Sequence, residues 1–73
     1  MKVKVATRTY QMSRVKYKEL LKVASEQVPF GIYAVEKADY AELRCDKVTS
    51  RTKLKELIRQ FKQQGFKAYA NGA

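Results

Sequence analysis

The chain has 73 residues, 45% of them apolar, with 16 lysines and arginines against seven acids, giving a formal net charge of +9. That is room for one domain with a small core, and no run approaches the ~20 apolar residues a membrane span needs. Histidine, the commonest general base and transition-metal ligand, is absent, and Cys45 alone makes no internal disulfide.

Lys2 to Tyr10 alternates, with Val3, Val5, Thr7 and Thr9 on one side and Lys2, Lys4, Ala6, Arg8 and Tyr10 on the other. The spacing predicts one half-buried strand. The charged start, Met1-Lys2-Val3-Lys4-Val5, is followed by no apolar stretch and reads as no signal peptide, so the expected location is cytoplasmic.

Ser13 is placed to cap a helix, with Met12 and Tyr17 set as a hydrophobic staple. Tyr17, Leu20, Leu21, Ala24 and Val28 recur at helical spacing, and Pro29 ends the run. Phe30 to Cys45 predicts a hairpin turning within Glu36-Lys37-Ala38-Asp39. The register that best separates the faces sets Phe30 opposite Cys45, Ile32 opposite Leu43 and Ala34 opposite Ala41, all inward. Cys45 is then an inert packing thiol. Ser50 is a second cap, before the stripe Leu54, Leu57, Ile58 and Phe61. Gly65 at the helix end, with Phe66 reaching back to Phe61, predicts a Schellman ending. Phe66 to Ala70 reads as a last short strand, and Asn71-Gly72-Ala73 as a frayed tail.

The expected order over residues 1–73 is therefore β-α-β-β-α-β in a single α+β domain. Its expected form is a ferredoxin-like split βαβ sandwich, a four-stranded antiparallel sheet with both helices on one face. The other face would stand bare.

That bare face is the candidate binding surface. It gathers Tyr10, Tyr33, Tyr40 and Tyr69 among Lys4, Arg8, Arg44 and Lys67. Rings that stack on bases and cations that meet phosphates are what a single-stranded nucleic acid platform needs. An aromatic, basic face suits a protein interface or a homodimer seam equally well. The RNA-recognition run of Lys/Arg-Gly-aromatic-Gly-aromatic is absent; Phe30-Gly31-Ile32-Tyr33 does not supply it. A second basic feature lies on the helices, where Arg14, Lys18 and Lys22 share one side and Arg51, Lys55, Arg59 and Lys62 another. Such rows track phosphates or form solvated helix backs. Glu19 and Glu56 offer local partners to some of these cations.

The seven acids, Glu19, Glu26, Glu36, Asp39, Glu42, Asp46 and Glu56, show no metal-ligand spacing and no acid pair. With no histidine to activate a nucleophile, the expectation is a non-enzymatic binding module without cofactor or metal. Its expected partners are nucleic acid, single-stranded above all, or an acidic protein, and not a membrane.

From Val48 to Tyr69, the run Thr49-Ser50-Arg51, the Leu/Ile-striped helix and Gly65-Phe66-Lys67-Ala68-Tyr69 resemble the second half of a SPOR domain. The resemblance implies the βαββαβ fold and glycan binding on an open sheet. In size, basicity and lack of catalytic parts, the whole chain also resembles small proteins carried by prophages and mobile elements of Gram-positive bacteria. That resemblance implies an alternative role as a compact inhibitor docking on a host or defence protein.

Overall fold

A computed structural model describes residues 1–72 as two α-helices and one mixed sheet of five strands. The elements are β1 (Lys2–Val5), β2 (Arg8–Gln11), α1 (Arg14–Gln27), β3 (Gly31–Lys37), β4 (Tyr40–Lys47), α2 (Arg51–Gln63) and β5 (Lys67–Asn71). Across the sheet they run β2-β1-β4-β3-β5, all neighbours antiparallel except β1 and β4. Among the described residues no helix is long and apolar enough to cross a membrane.

The helices begin and end where their residues dictate. Ser13 and Ser50 each accept a bond from the backbone N–H three residues on, at Lys16 and Lys53. Met12 packs in the cluster that holds Tyr17, completing the staple. The helix α1 stops before Pro29, and the Val28 N–H returns to Ala24. After α2, Gly65 takes φ +88°, its N–H bonds Lys62, and the Phe66 N–H bonds Phe61 at 2.9 Å. Phe61 and Phe66 meet edge to face at 6.2 Å, which completes a Schellman ending.

The first segment departs from expectation. The chain reverses at Ala6 and Thr7, with Ala6 at φ +56°, so Lys2–Tyr10 is two paired strands and not one. Only Val3 and Val5 supply an inward apolar pair there; all four residues of β2 are exposed. An alternation that fades after one pair has no burial to keep the strand straight.

This reversal redirects the whole topology. The expected four-stranded sheet with both helices on one face is replaced by five strands with one helix on each face. Val35 stands opposite Glu42 and Glu36 opposite Ala41, so Val35 and Ala41 point to opposite faces. Val35 packs with Leu54 of α2, and Ala41 packs with Tyr17 of α1. The handedness of crossovers explains the split. The passages from β2 to β3 and from β4 to β5 both move toward the β5 edge, but β2 and β4 run in opposite directions. Two right-handed crossovers of that kind must lie on opposite faces. We call the α1 side the front and the α2 side the back.

The central hairpin turns at Ala38 and Asp39, which puts Ala34 opposite Leu43 and not Ala41. A slip of two residues preserves facing, so Ala34, Ala41 and Leu43 still share one side. A bulge between Ile32 and Ala34 then sends Ile32 to the back, under α2. Cys45 shares the side of Ala41 and Leu43 but is exposed and not a packed thiol, because an open hollow lies there between the sheet and Leu20, Val23, Ala24 and Gln27 of α1. Asn71 belongs to β5 and not to a frayed tail: its amide donates to the Ser25 and Val28 carbonyls at 2.8 and 3.0 Å. These are orphan acceptors of the last turn of α1. Ala73, the remainder of that tail, lies outside the described residues.

Candidate nucleic-acid interface

The eight residues singled out on the expected bare face are divided among three places. Lys4, Tyr40 and Arg44 lie on the back, since Lys4 stands opposite Glu42 and even-numbered residues of β4 alternate away from Ala41. Arg44 is already committed there. Its Nε bonds Asp46 at 2.7 Å, its other arm lies 3.7 Å from Glu42, and its guanidinium sits 5.2 Å from the centre of the Phe61 ring. Tyr40 donates to Glu42 at 3.4 Å, and burial first, then that carboxylate, raises its pKa.

Arg8 and Tyr10 lie on the front, opposite Val5 and Val3, but on the outermost strand β2. Four strand spacings, about 19 Å, separate them from β5. The α1 helix stands between, packed over β3 and β4. Tyr33, Lys67 and Tyr69 are the three that come together. Tyr69 stands opposite Ala34 on the front, its ring 6.4 Å from the ring of Tyr33 and 5.1 Å from the Lys67 ammonium. Both rings are half-exposed and Lys67 is exposed.

The α1 helix supplies the rest of this strip. Arg14, Lys18, Lys22 and Ser25 fall on one flank of the helix. The Asn71 bonds to the Ser25 and Val28 carbonyls fix that flank on the β5 side. The cations are all exposed, and the row runs along the side of α1 nearest β5, the strand that carries Tyr69. Spacing alone made the row legible but not its neighbour, because which strand a helix flank overlooks depends on sheet order. Asn71 would have been the clue, as a polar residue closing an apolar strand beside a helix end.

Beneath the row, Tyr17 is buried and its hydroxyl has no hydrogen-bond partner. Burial chiefly, and next the nearby Glu36 carboxylate, push its pKa well above the ordinary tyrosine value. Tyr69 adds to that push and Arg14 opposes it, as an anion-forming phenol and a cation near Tyr17 must. The strip is thus a floor of two phenol rings with four cations, Arg14, Lys18, Lys22 and Lys67, along its borders. Such a surface gives stacking faces and point charges for an anionic chain. No protein family, characterised protein or solved structure was found to match the chain.

Proposed function

We propose that this protein is a non-enzymatic module that binds single-stranded nucleic acid along the front of β3 and β5. The observation that carries the reading is the Tyr33–Tyr69 ring pair bordered by Lys67 and by the Arg14, Lys18, Lys22 row. Unpaired bases stack on exposed rings whatever their sequence, at about 1–3 kcal/mol per base, while the cations hold phosphates. A duplex hides its base faces and gains only the charge term. The net charge of +9 supports capture of a polyanion at long range.

The test is a titration of labelled single-stranded and blunt duplex oligonucleotides at two salt concentrations. Four phosphate contacts give a slope of log affinity against log salt of about −3 for a single strand. Tyr69→Ala weakens single-strand binding by about 1–3 kcal/mol and leaves the slope in place. Binding indifferent to salt, equal preference for duplex, or no effect of Tyr69→Ala would each contradict the reading. Sedimentation with bare glycan strands and not with oligonucleotides would favour the SPOR-type role instead.

A further inference from the structure

The sheet ends at β5 on an edge with few of the guards that keep strands from pairing. Natural edge strands are kept short, charged, bulged or interrupted by proline. The five residues of β5 carry one charge, Lys67 at the start, then Ala68-Tyr69-Ala70, with no proline. The bulge beside it lies on β3. The opposite edge, β2, has four residues and opens on Arg8.

The back of this edge is as basic as the front. Lys53, Glu56, Leu57 and Gln60 of α2 line a hollow with Lys47 and Val48 at the end of β4, so that flank of α2 faces β4. The opposite flank, which looks out over β5, carries Arg51, Lys55 and Lys62 at helical spacing, all exposed. The two cation rows therefore converge on one strand from opposite faces. Few helix acids intrude: Glu56 is on the β4 flank, Glu19 lies 3.9 Å from Lys16, and Glu26 borders only the Lys22 end of the front row. Glu36, opposite Lys67, stands beside Tyr17 under α1.

We propose that the free edge of β5 takes an extended acidic segment of a partner protein as a sixth strand of the sheet. Main-chain bonds to β5 would give the pairing, and side chains alternating front and back would meet a cation row on each side. The segment is for that reason an uninterrupted run of aspartate and glutamate; an acid at every second residue would leave one row unmet. This inference rests on the edge and both cation rows, and does not depend on nucleic acid binding.

The experiment uses an octapeptide of aspartate and glutamate and two versions methylated on alternate backbone nitrogens, one on odd and one on even positions. A strand turns alternate N–H groups to its neighbour, so one pattern blocks pairing and the other spares it. The parent and the spared peptide are expected to bind, and the blocked one to lose about tenfold or more, since several hydrogen bonds go at once. Arg51→Glu with Lys55→Glu should weaken all binding peptides. Equal binding of all three peptides would mean charge attraction without strand addition and overturn the proposal, as would binding by none. A single-stranded oligonucleotide titrated in parallel reports on the nucleic-acid reading alone.

Discussion

The half of the sheet under α2 and the half under α1 are held by different means. Under α2, Ile32, Val35 and Leu54 are buried and ringed by Phe30, Leu57, Ile58, Phe61 and Phe66. Under α1 the buried set is Val3, Tyr17, Ala24, Val28, Ala34 and Ala41, half of it alanine, with Met1, Val5, Met12, Leu21 and Leu43 packed around it, and its largest member carries an unpaired hydroxyl. That side is completed by polar ties: the terminal amine of Met1 donates to the Met12 carbonyl at 2.9 Å, and Asn71 clamps the end of α1. Hydrocarbon burial stabilises without regard to direction, whereas hydrogen bonds specify a position. The back half therefore rests on large hydrocarbon side chains, while the front half adds hydrogen bonds that fix α1 against the end of β5.

The sharpest way to break this contrast is Leu54→Ala. Leu54 has no exposed surface, and its truncation should cost about 2–5 kcal/mol in a denaturant melt. A loss below about 1 kcal/mol would show that the large side chains of the back half contribute little to stability. Asn71→Ala should cost less, about 1–3 kcal/mol for two lost bonds. Its particular signature is faster hydrogen exchange in the last turn of α1 and weaker oligonucleotide binding, with the α2 half unchanged.

Tyr17→Phe sharpens the comparison in the opposite direction. It removes a buried hydroxyl that has no partner at hydrogen-bonding distance and only a looser approach to Glu36, so stability near pH 7 should change by no more than about 1 kcal/mol. The folded pKa of Tyr17 lies above its ordinary value of 10.0. The stabilisation tied to the neutral phenol is then fully present below pH 10 and is lost as pH rises toward the folded value, because the unfolded chain releases the proton first. Melts taken from pH 9 to 11 should show the native protein falling relative to Tyr17→Phe, and parallel curves would contradict this placement of Tyr17. The smallest effect is expected at Ala6, whose φ of +56° strains a residue bearing a Cβ. Ala6→Gly should stabilise by about 0.5–1 kcal/mol in a denaturant melt, and a loss of stability would contradict the β1–β2 turn.

Both helices, their caps, the Schellman ending and the central hairpin were legible because each rests on local chemistry: a serine oxygen, a proline, a left-handed glycine. The sheet's handedness was not, because it turned on Ala6 and Thr7. Neither residue is a turn former, and the reversal shows only as an alternation that loses its apolar partner after Val5. Reading β1 and β2 as one strand reversed the direction of entry into α1, and with it the face that helix covers. The site followed the same rule. Tyr33, Lys67 and Tyr69 were legible as a group since they sit on strands paired directly to each other. Lys4, Tyr40 and Arg44 went to the other face, and Arg8 and Tyr10 to the far edge. The Arg14, Lys18 and Lys22 row was visible as a row and not as one wall of a site.

A pair of charge-matched variants tests the front strip most directly. Arg14→Glu with Lys18→Glu, and Lys2→Glu with Lys4→Glu, lower the net charge equally, but only the first pair borders the Tyr33–Tyr69 strip. In single-strand titrations the first should cost about tenfold or more and flatten the salt slope by about 1.4, while the second changes affinity by only about threefold. Equal losses in the two would mean that overall charge, and not this strip, attracts the strand.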